Sequence, residues 1–321
     1  MKPFKTHHQQ IQVLRERGMI IKDDAKAIHV LEHENYYNMI NGYKHTFLTK
    51  GLVPETYQKG TTFEELYALY SFDRDLRNLL IGYFLKFETN LKSKVAYRFS
   101  ETFPETQAYL DIKNYAKESP QSKMMLDLVA TLFNVIKNTG KKRNTAVSYY
   151  LNQYGEVPLW VLTKYLTFGN IQYFYTCLKL TEKNKIAKDF SLDFKREYSV
   201  NHGAISNEML EEIIKTINYF RNVCAHEERL YSFKIYKPSK NAAIAKLLEI
   251  NNHQLEQGNL FAVLAFLKLV IPKGDYKKLL ISLSKLFEEY RPMISPLHFT
   301  EILEIMGFDS NWETTLWYRL K

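Results

Sequence analysis

An all-α fold is what this 321-residue sequence predicts, and three observations carry the reading. Residues 62 to 100 run without a proline, with Leu66, Leu69, Tyr70, Leu76, Leu80, Phe84, Phe87, Leu91 and Val95 at helical spacing. A second stripe of that period, Met209, Leu210, Ile213, Ile217, Phe220 and Cys224, leads into "RNVCAHEERLYS" (221 to 232). No alternating strand pattern exceeds a few residues, "RLYSFKIYK" (229 to 237) being the one stretch that reads as briefly extended.

In chain order, "THHQQIQVLRERGM" (6 to 19) places Ile11, Leu14 and, less regularly, Val13 on one helical face and stops at Gly18. "DDAKAIHVLEHENYYNMI" (23 to 40) starts on an Asp N-cap and ends near Gly42. Two glycines and a proline in 49 to 62 mark a linker. A long helix follows from Thr62 and Glu65, a Thr-x-x-Glu capping box, to about Ser100, with Gly82 as the place for a kink. Further helices are expected over 121 to 138, over 158 to 180 with Pro158 in its first turn, and from Ser206 to about Leu230. Residues 241 to 321 read as three or so amphipathic helices broken by "IPKGD" and "RPMISP". The expected organisation is an N-terminal helical segment (1 to 60), a helical bundle (61 to 235) and a C-terminal helical extension (236 to 321).

A net charge of +9 favours a polyanionic partner, RNA or DNA ahead of a membrane surface. The longest apolar run, "LFAVLAFLKLVI" (260 to 271), holds Lys268 and is too short to span a bilayer, and "MKPFKTHHQQ" lacks the apolar core of a secretory signal, so a cytoplasmic location is expected. Cys177 and Cys224 are too few for a disulfide framework or a cysteine zinc cluster and read as small core residues.

The chemistry concentrates in "RNVCAHEERLYS". At 100° per residue His226 falls about 180° and Asn222 about 140° from Ile217, whereas Arg221 flanks the apolar stripe at about 40°. His226 thus lies off the helix's own core, and a pair that diverges within one helix makes a better site where two copies meet. The bland reading is a basic helix end that satisfies its last carbonyls.

"RNVCAHEERLYS" resembles the signature of the Abi-like abortive infection family (AbiD and AbiF), RN-x-CAH followed by RLY. "LRERGMIIKD" (14 to 23), "LEHENYYNMINGY" (31 to 43), "LYSFDRDLRNLL" with "FETNLKS" (69 to 93) and "PLWVLTKYLTFGNIQYFY" (158 to 175) extend the resemblance, in order, over roughly residues 5 to 235. It implies a HEPN-like bundle and a dimeric, metal-independent endoribonuclease toxin of phage defence, restrained by a small structured non-coding RNA. Carried over, the motif is Arg221 and His226 with Asn222 as polar neighbour; Glu227 stands where many relatives have a second histidine. No cofactor or metal is needed, because RNA supplies its own 2′-hydroxyl nucleophile. Histidine, which titrates near neutrality, suits the acid–base role, and arginine suits the charge on the phosphorane.

Other candidates surround this pair. The resemblance implies an acidic residue of the first bundle helix near the motif, so Glu88 either holds Arg221 or His226, or pairs with Lys92 at i,i+4 on the surface. Asp73, Arg74, Asp75 and Arg77 read mainly as an intramolecular charge network, with RNA contact by Arg74 or Arg77 the second reading. Tyr36 and Tyr37 with Lys44 would stack and grip unpaired bases, unless they are core. Lys141, Lys142 and Arg143 form the better phosphate contact. "HVLEH" (29 to 33) matches the two-histidine pattern of inverted zinc peptidases but is a weak motif. Two further functions stay open: a non-catalytic RNA-binding module, and a nucleotidylation partner or target of the HEPN type.

Overall fold

Thr62 starts the element around which the chain is built. Its hydroxyl accepts the Glu65 N–H at 3.1 Å, and from there α3 (Phe63–Thr102) runs for 40 residues, continuous through Gly82. In the computed structural model, which describes residues 3–116, 121–200, 203–238 and 242–318, the chain is all-α. The β pairing among the described residues is three isolated bridges, Ile20 with Thr62, Leu48 with Tyr57 and Tyr115 with Leu178. The stretch 229 to 237 forms turns and not a strand.

Before α3 come α1 (His7–Glu16), capped by Thr6 and closed at Gly18, and α2 (Asp24–His33), capped by Asp23. α2 ends at Glu34, short of the expected Gly42, and a π-helical turn covers Tyr37–Asn41. After α3 come α4 (Gln121–Gly140), α5 (Ala146–Tyr154), α6 (Leu159–Leu162), α7 (Phe168–Cys177), α8 (Leu180–Tyr198) and α9 (Asn207–Ala225). The single helix expected over 158 to 180 is therefore three elements, α6, α7 and the start of α8. Leu178 is extended, paired across a bridge with Tyr115, while Ala116 N–H donates to the Cys177 carbonyl at 3.0 Å. α9 packs against α3, α7, α8 and α12, the last of these spanning Leu260–Val270.

The remaining helices are α10 (Ala242–Leu248), α11 (Asn252–Glu256), α13 (Lys273–Tyr290), α14 (Pro296–Met306) and α15 (Trp312–Trp317). Every residue of α12 is buried, Lys268 included, its ammonium donating to the Leu316 and Tyr318 carbonyls. No helix among the described residues is long and apolar enough to cross a membrane. One continuous core joins residues from Ile11 to Leu316.

The expected capping box is only half made, because Glu65 turns away from Thr62 to the C-terminal helices. Its Oε1 accepts the Ser295 N–H at 2.8 Å and meets His298 Nδ1 at 2.8 Å; His298 Nε2 meets Gln58 Oε1 at 3.0 Å. Burial opposes ionisation of Glu65, but the hydrogen bonds from His298 and Ser295 together hold its carboxyl below the ordinary value. A depressed carboxyl stabilises the fold fully above its unfolded pKa and stops doing so as pH falls through the folded one. The stability gap between wild type and Glu65→Gln is therefore expected to be widest near neutrality and to close as pH falls through the carboxylate range, measured by urea unfolding. A gap independent of pH would mean that Glu65 acts by shape alone.

Candidate active site at the end of α9

α9 begins where Ser206 accepts the Met209 N–H at 3.2 Å. The six stripe residues expected inside are buried, joined by Ile214, Thr216 and Val223, so the apolar face is wide enough to fix the rotation of α9 on four neighbouring helices. Each large aliphatic or aromatic side chain so buried contributes roughly 1.5–3 kcal/mol relative to exposure. The polar end of the helix is thereby held on a rigid element.

Arg221 leaves α9 toward α3, its side chain 23% exposed, with Nε 3.4 Å from Oε2 of Glu88. The other Glu88 oxygen accepts from Lys92 Nζ at 2.7 Å, and Lys92 also donates to the Leu166 carbonyl at 2.6 Å. Glu88 thus does both things the sequence offered for it, as a buried carboxylate and not a surface one. Apart from Glu88, the Arg221 guanidinium meets Asn222 Oδ1, at 3.5 Å, so most of its donor fork has no partner among the described residues.

His226 is the C-cap of α9 and is exposed. Its N–H donates to the Asn222 carbonyl at 2.9 Å, and its imidazole has no hydrogen-bond partner among the described residues. The helix closes as a Schellman turn: Glu228 N–H reaches the Val223 carbonyl at 3.0 Å and Glu227 N–H the Cys224 carbonyl at 3.4 Å, with Glu227 left-handed at φ 56°. A residue with a Cβ costs about 1–2 kcal/mol there. Glu227→Gly is expected to stabilise the protein by about 0.5–1 kcal/mol in urea unfolding, the relief being partly offset by a more flexible unfolded chain. A destabilised variant would show that the Glu227 side chain itself holds the turn.

The segment after the turn is latched to α3. Asp73, wholly buried, accepts the Leu230 N–H at 3.0 Å, the Tyr231 N–H at 2.6 Å, the Tyr43 hydroxyl at 2.7 Å and Arg77 Nη1 at 2.6 Å. Arg77 also reaches the Glu228 carbonyl at 3.3 Å, Asp75 accepts from Tyr290 Oη at 2.6 Å, and Arg74 pairs with Glu34 at 2.8 Å. The charge run of α3 is thus the intramolecular network expected first. Its job is to join the N-terminal segment, α13 and the chain leaving α9. The two-amide acceptor role of Asp73 escaped sequence reading, having no local signal.

The other residues expected to touch RNA divide. Arg77, its side chain 7% exposed, faces inward and is withdrawn from that role. Lys44 is nearly buried and pairs with Glu55 at 2.6 Å, so it is likewise corrected to a structural part, whereas Tyr36 is half-buried, one side against the core. Arg74 is half-exposed but held by Glu34 and the Tyr70 ring. Tyr37 is 73% exposed, and Lys141, Lys142 and Arg143 form an exposed turn with no ion pair among the described residues. His29, Glu32 and His33 bring one ligand atom each within 4.8 Å of one another, on the solvent face of α2. Burial raises the Cys224 thiol to about 12 and the Cys177 thiol to about 11, so both are unreactive core residues.

Fold and site together define an all-helical protein that presents an arginine and a histidine at one solvent-open helix end, backed by a buried carboxylate. The chain belongs to the Abi-like protein family, whose profile matches residues 29–232, from α2 to just beyond α9. Membership points to abortive infection, a form of defence against phage. No curated protein and no solved structure matches the chain.

Proposed function

We propose that the protein is a HEPN-type, metal-independent endoribonuclease toxin of phage defence, acting as a homodimer and restrained by a small structured non-coding RNA. The observation that carries this reading is the end of α9, which bears both a largely unsaturated guanidinium on Arg221, steadied by Glu88, and an exposed imidazole on His226 without a hydrogen-bond partner among the described residues. His226 moves the proton of the attacking 2′-hydroxyl or of the leaving 5′-oxygen. Arg221 holds the non-bridging phosphate oxygens and answers the charge that grows on them, for which its planar fork is suited. Asn222 orients the phosphate. The products are a 2′,3′-cyclic phosphate and a 5′-hydroxyl. Arg221 and His226 diverge by about 140° around α9, which favours a site completed by the α9 of a second copy.

The test is cleavage of a mixed RNA pool by the purified protein in EDTA, with product ends identified and mass measured by sedimentation. Cyclic phosphate ends from a dimer are expected. A strict monomer at micromolar concentration would remove the composite site. RNA that is bound through Arg221 and His226 but left uncut would make the protein an RNA-binding module.

A further inference from the structure

A cleft of about 820 Å³ lies along the C-terminal half of α3, closed on its far side by α6 and the turn after it. From α3 it is lined by Thr89, Lys92, Ser93 and Tyr97 at one-turn spacing, and from the opposite wall by Trp160 and Lys164. Trp160 and Tyr97 are each 62% exposed, an unusual state for two large aromatic rings in one cleft. Lys164 is exposed and has no ion pair among the described residues. The one acid in the lining, Glu101, is already answered by Arg98 at 2.9 Å and Lys185 at 3.5 Å. Lys164 therefore faces no free carboxylate there.

The cleft adjoins the Arg221 site. Lys92 lines the cleft, yet its ammonium is held by Glu88, the carboxylate whose other oxygen faces Arg221, and by the Leu166 carbonyl two residues beyond Lys164. The Glu88–Lys92 pair is thus shared between the Arg221 site and the wall of the cleft.

We infer that this cleft binds an unpaired segment of RNA next to the scissile phosphate, with bases stacked on Trp160 and Tyr97 and a backbone phosphate on Lys164. Aromatic faces with interleaved cations are the chemistry of single-strand recognition, in which stacking is tolerant of sequence and the charge follows the backbone. The Ser93 and Thr89 hydroxyls suit ribose and phosphate oxygens. A base-paired helix would bury its base faces in its own stack and offer nothing to the Trp160 ring or to the face of Tyr97 that Arg98 leaves uncovered. The inference deepens the reading of the Arg221 site as an RNA site and rests on it.

The experiment uses full-length protein carrying His226→Ala, a fluorescein-labelled twelve-nucleotide oligouridine, and fluorescence anisotropy in EDTA. Trp160→Ala is expected to weaken binding roughly tenfold, and Trp160→Phe to retain most of it. Lys164→Ala is expected to weaken binding and to lower the salt slope by about one. Unlabelled oligouridine quenches tryptophan emission, since Trp312 is buried and Trp317 only partly accessible. Unchanged affinity in Trp160→Ala, or equal competition by a twelve-base-pair RNA duplex, overturns the inference. So does a dimer that falls apart in Trp160→Ala with RNA affinity intact, which would make the cleft a protein interface. Cleavage by the His226-intact protein with binding indifferent to Trp160 sinks the cleft alone; Trp160-dependent binding without any cleavage sinks the nuclease reading and leaves the cleft standing.

Discussion

Arg221→Ala and His226→Ala are each expected to lower RNA cleavage by roughly 10²- to 10⁴-fold, the range for loss of one general acid–base or one charge-stabilising group. Neither should unfold the protein. His226 is exposed and makes no side-chain bond among the described residues, so its truncation is expected to cost less than about 0.5 kcal/mol. Removing Arg221 leaves Glu88 buried, but Lys92 still answers its charge at 2.7 Å. Arg221→Lys keeps a charge and loses the fork, so it is expected to rescue only part of the rate.

The same pair of variants reports where the two groups meet. If Arg221 of one copy serves His226 of the other, a heterodimer of the two inactive variants holds one intact site and one doubly broken site. Half of the dimers in an equilibrated mixture are of this kind, so the mixture should regain about a quarter of wild-type activity. If each site lies within one protomer, mixing restores nothing. Either result is read from the same gel, and full activity of both single variants would dismiss the end of α9 as the site altogether.

The parts of this architecture that were legible in the sequence are those fixed by local periodicity. α3 and α9 each bury a stripe that repeats within the helix itself, so their existence and facing could be read directly. The break between α7 and α8 could not: "TCLKLTEK" has no glycine or proline, and the helix stops because Leu178 pairs with Tyr115, 63 positions earlier. Glu65 looked like a capping residue for the same reason, its true partners Ser295 and His298 lying some 230 residues away. Lys44 was read as an RNA contact because a lysine among tyrosines looks exposed, yet Glu55, eleven residues on, draws it in. Trp160 and Lys164 escaped notice because their exposure follows from how α6 meets α3. The Glu88–Arg221 contact was anticipated from the family resemblance and from no spacing rule.

Asp73→Ala is expected to have the largest effect on stability, about 3–5 kcal/mol, because it strands several buried groups at once. The variant leaves the Leu230 and Tyr231 N–H groups, the Tyr43 hydroxyl and the Arg77 guanidinium without their shared acceptor. Those donors come from "NGYKH", from "FDRDLR" and from "ERLYS", so a single carboxylate joins three stretches that are far apart in the chain. Urea unfolding monitored by circular dichroism gives the magnitude. The double variant Asp73→Ala/Arg77→Ala should cost clearly less than the sum of the two singles, since the second change removes a charge that the first has orphaned. Additive losses would mean that Arg77 gains nothing from Asp73 and that the amide bonds alone hold the latch. A loss below about 1 kcal/mol would mean that water or a shifted loop satisfies these donors, and that the turn bearing His226 is held by α9 alone.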